Sequence, residues 1–123
     1  MAKLPILIVD DDRLTCRLMA KWLAVSGYET DIALDGPSAL KLFEQKEYGL
    51  AISDYQMPGM NGIELFRRLR ELNANLSGIL VTGMSRADIA VSAIDAGMRR
   101  VMSKPANYQE LVPIIEEALA KAG

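Results

Sequence analysis

Five times along the chain a short apolar run of strand length gives way to a longer stretch with helical spacing, and few folds accommodate that alternation. The strand candidates are residues 6–9, 28–33, 49–53, 79–82 and 100–103. Three of them are nearly continuous apolar runs, as expected of strands covered on both faces. The helix starts carry their own signals. Asp11 or Asp12 can cap the first helix, Asp35-Gly36-Pro37 opens the second and Asn61-Gly62 the third. Ser85 with Asp88, and Asn107 with Glu110, have the spacing of capping boxes for the fourth and fifth. Pro113 lies deep in the last of these, so that helix either loses a backbone hydrogen bond and kinks or starts later. In the first helix Leu14, Leu18, Trp22 and Val25 form a stripe expected to face the core. Arg67, Arg68 and Arg70 with Glu64 and Glu71 read as a solvated helix face. Arg99 and Arg100 flank the fifth strand as exposed charges.

Short connections between alternating strands and helices favour a parallel sheet with right-handed crossovers and helices on both faces, that is, a doubly wound α/β domain. At 123 residues the chain has room for one such domain, taken here as 1–123. Its 14 Lys and Arg against 16 Asp and Glu give no basic excess, so direct nucleic-acid binding is not expected. A lone Cys16 can form no intrachain disulfide, and it reads as a packing residue in a reducing compartment. No apolar run is long enough to span a membrane, and the start leads into a strand instead of a signal peptide, so a cytoplasmic location is expected. Histidine is absent, which removes Ser-His and Cys-His catalysis and histidine-ligated zinc.

In open parallel sheets ligands bind at the carboxyl ends of the strands, near the switch in strand order. After the first strand come Asp10, Asp11 and Asp12; after the third, Asp54; at the end of the fourth, Thr82 and Gly83; after the fifth, Lys104-Pro105. Singly each has an ordinary explanation as a cap, a turn residue or strand-end packing. Their arrival at one sheet edge is what unrelated turn residues have no reason to produce. Clustered carboxylates repel one another unless a cation neutralises them, and an all-oxygen set suits a hard divalent ion, for which magnesium is the natural choice. A carboxylate, a metal, an ammonium and a hydroxyl together meet the needs of phosphoryl transfer.

Four segments resemble the response-regulator receiver family: Ile6-Leu7-Ile8-Val9-Asp10-Asp11-Asp12, Val81-Thr82-Gly83, Ser103-Lys104-Pro105, and above all Asp54-Tyr55-Gln56-Met57-Pro58-Gly59-Met60-Asn61-Gly62, which fits Asp-x-x-Met-Pro-x-Met-x-Gly without a gap. The resemblance covers essentially the whole chain and implies a flavodoxin-like sheet in the order 2-1-3-4-5. It implies that Asp54 is the phosphoacceptor, taking its group from a phosphohistidine on a sensor histidine kinase or phosphotransfer protein. By the same resemblance Asp11 and Asp54 are magnesium ligands, Asp10 acts through water and the Gln56 carbonyl completes the protein's share. Thr82 matches the switch hydroxyl, Lys104 the lysine that pairs with the aspartyl phosphate, and Lys104-Pro105 a cis peptide bond. Such a domain catalyses only its own phosphorylation and dephosphorylation and is not otherwise an enzyme. It acts on a downstream protein or an effector domain, by resemblance through the fourth helix, fifth strand and fifth helix.

The chain departs from the family at Gly83, where alanine is usual, at Ala106, where a bulky aromatic is frequent, and at Val101, where an aromatic switch commonly stands. An atypical output switch is therefore expected. Gln56 and Met84 are the positions expected to set the lifetime of the phosphorylated state, and Met84, with no hydrogen bond to offer, points to slow self-dephosphorylation. Two other readings remain open at this level. One is a pseudo-receiver, an interaction module without the chemistry. The other is a phosphatase of the haloacid dehalogenase type, whose Asp-x-Asp opening Asp10 and Asp12 resemble and which would use Asp10 as nucleophile.

Overall fold

A computed structural model describes residues 3–84 and 86–122. Five strands alternate with five helices: β1 (Ile6–Val9), α1 (Arg13–Val25), β2 (Thr30–Ala33), α2 (Gly36–Gln45), β3 (Leu50–Ser53), α3 (Gly62–Leu72), β4 (Ser77–Thr82), α4 (Ala87–Asp95), β5 (Arg100–Ser103) and α5 (Tyr108–Ala122). All strand pairs are parallel and the order is β2-β1-β3-β4-β5. The chain thus reverses its direction of growth between β2 and β3, which puts β1 and β3 side by side at the switch point.

Strand residues alternate between two apolar cores. Ile6, Ile8, Leu50, Ile52, Ile79 and Val81 point to the side covered by α1 and α5, where they meet Cys16, Met19, Leu23, Leu111, Ile115 and Ala118. Leu7, Val9, Ala51 and Leu80 point to the other side and pack against α2, α3 and α4. This two-sided burial is why β1 and β3 are apolar at every position but the last residue of β3, Ser53, and are buried throughout. Edge strand β2 is pinned by Asp31, which accepts a hydrogen bond from Tyr48 Oη at 2.6 Å and pairs with Lys46 at 2.8 Å.

Several expectations shift. Strand β4 begins at Ser77, two residues early, because Gly78 is a strand residue whose missing side chain makes room for the Phe66 ring. Strand β2 begins at Thr30, and the buried Tyr28 precedes it. Helix α5 starts at Tyr108 and runs through Pro113. The proline leaves the Gln109 carbonyl without its helical donor, and both residues are exposed, so water can reach it. Asp12, Asp35 and Asn61 cap α1, α2 and α3 with their side chains as expected. Asn107 accepts from the amides of Gln109 and Glu110 at 3.0 and 3.4 Å. The expected cap at Ser85 lies outside the described residues. Helix α4 has Arg86 at its N-cap without a side-chain cap bond, and the Arg86 guanidinium instead pairs with Asp88.

The largest correction concerns α1. Leu14, Leu18, Trp22 and Val25 are exposed by 64%, 49%, 49% and 80%, whereas the buried stripe is Cys16, Met19 and Leu23. At 3.6 residues per turn the two stripes lie roughly 140° apart around the helix, and only one can face the sheet. Trp22 stacks on Tyr108 of α5, with ring centroids 5.2 Å apart. Arg70 is another correction, since it is half-buried and structural. Its guanidinium lies over the Phe66 ring and donates to the carbonyls of Ala74 at 2.8 Å and Gly97 at 3.4 Å. Arg99 is held by Glu117 at 3.2 Å, while Arg100 is exposed.

Candidate functional site

The parallel ladder continues one residue past three strands. The amide of Asp10 donates to Ala33 O at 3.2 Å, that of Asp54 to Val9 O at 2.9 Å, and that of Lys104 to Thr82 O at 2.9 Å. Each chemistry-bearing residue is therefore fixed by the sheet before its side chain makes any contact. Asp10 and Asp54 are buried, with 4% and 8% exposure, and Thr82 ends β4 at 2%. Lys104 Nζ lies 2.7 Å from Asp10 Oδ2 and 3.1 Å from Asp54 Oδ2. Burial works against its charge, but the bonds to Asp10 and Asp54 outweigh burial and hold the ammonium above the usual lysine pKa. The Lys104-Pro105 peptide bond is cis.

Asp11 is exposed and, with Asp10 and Asp54, places three carboxylate oxygens within 4.8 Å of one another. That all-oxygen set, contributed by β1 and β3 and opening to solvent on one side, fits a hard divalent cation that keeps part of its water shell. Asp12 is not part of this group. Its carboxylate caps α1 by accepting from Leu14 N at 3.1 Å and Thr15 Oγ1 at 2.8 Å, and the Thr15 bond leads in lowering its pKa. Of the three acids after β1, it is thus Asp10 and Asp11 that join Asp54 in the cluster, while Asp12 serves the helix cap.

An open pocket of about 550 Å³ lies over these groups, lined by Asp11, Asp54, Gln56, Thr82, Gly83 and Lys104, among others. Thr82 Oγ1 accepts from Met84 N at 3.1 Å, and Gln56 N approaches Asp54 Oδ1 at 3.4 Å. Met84 is half-buried and packs against the α2–α4 core, as does Val101 on β5. Val101 also borders a second open groove of about 680 Å³ along β5 and the start of α5. The expected residues Asp10, Asp11, Asp54, Gln56, Thr82 and Lys104 thus converge, whereas Val101 stands apart from the acidic cluster.

Three supports escaped sequence reasoning. Ser53 Oγ donates to the Asp54 carbonyl at 2.9 Å, and Gly62 sits so close that a Cβ there would press on the same carbonyl oxygen. Cys16 Sγ donates to Asp10 O at 3.3 Å. Burial pushes the Cys16 thiol up to about 11, and the Asp10 carboxylate adds to the effect. In the native protein Cys16 is expected to resist alkylation at mildly alkaline pH and to react at once on unfolding, which a thiol-titration assay with and without denaturant checks. Equal rates in both conditions would contradict this placement. The Asn-Gly pair at the start of α3 is the sequence signal for the close approach at Gly62, since a helix start by itself does not require glycine there.

The sequence matches the family described as response regulator receiver domain over residues 6–116. It is 32% identical over 118 residues to the transcriptional regulatory protein ZraR of Salmonella typhimurium, covering 96% of this chain and 27% of that protein. It is 34% identical over 118 residues to the regulatory protein VanRB of Enterococcus faecalis, covering 96% of this chain and 53% of that one. The chain thus spans about a quarter to a half of the length of these two relatives. Among solved structures, a CheY-like response regulator receiver domain protein from Methanospirillum hungatei superposes with a TM-score of 0.92 at 31% identity, covering 98% of this chain and 97% of that one. Among the described residues no helix is long and apolar enough to cross a membrane.

Proposed function

The chain belongs to the response regulator receiver domain family, and from that membership we propose that residues 1–123 act as one receiver domain in which Asp54 accepts a phosphoryl group from a phosphohistidine protein. The observation that carries this reading is the buried Asp54 carboxylate, held by the sheet and bridged to Asp10 by a single lysine ammonium. An Asp54 carboxylate oxygen forms the new bond to phosphorus as the phosphorus–nitrogen bond of the donor breaks. That bond's electron pair stays on the imidazole nitrogen, which takes up a proton. Magnesium, the expected cation of the Asp10, Asp11 and Asp54 cluster, supplies positive charge to the phosphoryl oxygens when bound.

Lys104 supplies the second positive charge, and its backbone anchor to Thr82 O keeps it at the pocket wall. The Thr82 hydroxyl can donate to a phosphoryl oxygen from the same wall while still accepting from Met84 N. The buried carboxylate of Asp10 beside Asp54 serves to hold cations. The donor is a sensor histidine kinase or a phosphotransfer protein. The domain's own charge balance offers nothing to a nucleic acid, so its output is to a protein surface. Because Val101 has no ring to swing, that output runs without the usual Thr-aromatic coupling.

The direct test is the intact mass of the protein after incubation with a small phosphodonor, with magnesium and with a chelator. One added phosphoryl group that requires magnesium supports the reading. Absence of an adduct under conditions that modify a known receiver assigns the fold to an interaction module instead. The lifetime of the adduct is a separate matter. Met84 offers no group to orient or polarise water, so Met84→Glu is expected to lose the phosphoryl group about tenfold faster than the parent, as befits a newly introduced positioned polar group. The decay of the adduct in intact mass checks this, and equal decay rates would remove Met84 from that role.

A further inference from the structure

The two edges of the sheet are built differently. Edge strand β2 carries a charge in its middle, Asp31, fixed there by Tyr48 and Lys46. A charge in that place discourages another strand from pairing. Edge strand β5 reads Arg100-Val101-Met102-Ser103, with its one charge at the first residue and an apolar middle. Among the described residues β5 pairs only with β4, so one side of its backbone has no strand partner. Val101 packs on the core under α2, α3 and α4, and Met102 on the core under α1 and α5, so the middle of this edge is anchored on both faces of the sheet. An open groove of about 680 Å³ runs beside it, lined by all four β5 residues and by Glu110 and Ile114 of α5, among others. Arg100 opens the strand, and Glu110 stands in the first turn of α5, after the strand's carboxyl end. Both are exposed, and among the described residues neither makes an ion pair. The groove therefore presents opposite charges toward its two ends and apolar surface between them.

We infer that the free edge of β5 takes up an extended segment of a partner protein as a sixth strand of the sheet. The role of that partner as a downstream target rests on the receiver reading above, while the form of the segment is read from the edge itself. A strand meets the open N–H and C=O groups of an edge with its own, and pockets beside the edge select its side chains. A helix has already spent its backbone groups internally and would leave those of β5 unpaired. Successive side chains of the added strand point to opposite faces, so the segment needs two adjacent apolar residues, one beside Val101 and one beside Met102. Charge complementarity places an acidic residue toward Arg100 and a basic one toward Glu110, which fixes the direction in which the segment lies. The docking strand also lies next to the chemistry, because β5 leads directly into Lys104, whose amide extends the same ladder to Thr82 O.

The probe is a set of short random peptides displayed on phage and selected on the full chain, in parallel without and with phosphodonor and magnesium. Enriched sequences are expected to share an adjacent apolar pair flanked by an acid on one side and a base on the other. One enriched peptide is then synthesised with methyl groups on alternate backbone nitrogens. Methylation of the amides that face β5 is expected to weaken binding by about tenfold for each bond lost, while methylation of the intervening amides leaves it largely unchanged. Loss in both sets, as a docked helix gives, or in neither, as side-chain contact alone gives, overturns the inference. Arg100→Glu is expected to bind the peptide severalfold more weakly and to recover when the peptide's acidic residue is replaced by lysine. A peptide that Arg100→Glu holds as tightly as the parent does overturns the inference, and so does a selection that enriches nothing in either condition. The phosphoryl adduct is read separately by intact mass on the same protein. An adduct without strand pairing fails this inference alone, and strand pairing on a protein that takes no phosphoryl group fails the receiver reading alone.

Discussion

The Asp54→Ala variant is expected to take no phosphoryl group at all, while the parent takes one in the presence of magnesium. The effect is complete because the alternatives are closed. Both oxygens of Asp10 are already bonded, one to an amide and one to Lys104. Asp12 is committed to the cap of α1, and Asp11 stands exposed at the rim, without a lysine contact among its described bonds. Only Asp54 combines a buried carboxylate, a place in the open pocket and direct contact with an ammonium. The fold should survive the change, since the Asp54 amide keeps its bond to Val9 O and Lys104 keeps Asp10. Intact mass after phosphodonor treatment, beside circular dichroism of the variant, checks both halves. An adduct on a folded Asp54→Ala protein would move the acceptor to another acid and sink the present assignment.

The second large effect is expected at Gly62. Its first helical turn abuts the peptide of the phosphoacceptor: Gly62 N donates to Tyr55 O at 2.9 Å, and a Cβ would press on the Asp54 carbonyl oxygen and lie 2.8 Å from Ser53 Oγ. The obstacle is backbone of the central strand's end, which cannot swing aside as a flexible side chain can. Gly62→Ala is therefore expected to cost about 1–3 kcal/mol of stability, the usual range for overpacking, despite alanine's better helix propensity. It should also slow phosphorylation, because relief of the clash displaces Asp54 or detaches Ser53 from its carbonyl. Denaturant unfolding together with the rate of adduct formation measures the two consequences. A variant as stable and as reactive as the parent would show that the α3 start is not a structural brace of the site.

What could be read from the sequence followed from physical regularities that act locally. The strands declared themselves because two-sided burial leaves β1 and β3 with apolar runs such as Ile6-Leu7-Ile8-Val9, and the caps at Asp12, Asp35 and Asn61 because a helix start needs acceptors for free amides. The convergence of Asp10, Asp54, Thr82 and Lys104 followed from the sheet direction alone. The failures lie where a local signal has two solutions. In α1 both stripes have helical spacing, and nothing in the segment itself says that Cys16, Met19 and Leu23 turn inward while Leu14, Leu18 and Trp22 turn out. The fourth strand reads as starting at residue 79 because the reason for Gly78 in it, the Phe66 ring, comes from a helix in another part of the sequence. Arg70 looked solvated because one acceptor, the Ala74 carbonyl, is exposed only once α3 has ended at Leu72, and the other, the Gly97 carbonyl, arrives only when α3 meets the end of α4. The preference of Lys104 for Asp10 over Asp54 depends on side-chain geometry, which no spacing rule contains.

The ladder bonds that continue past β1, β3 and β5 have a consequence for how such a domain can diversify. Asp10, Asp54 and Lys104 hang from amides hydrogen-bonded to Ala33, Val9 and Thr82, so the reaction is inherited with the sheet. The outward faces of the helices take no part in holding those three groups. Exposed positions on those faces, such as Leu14 and Leu18 of α1, can therefore change residue by residue without disturbing the anchors of the three groups.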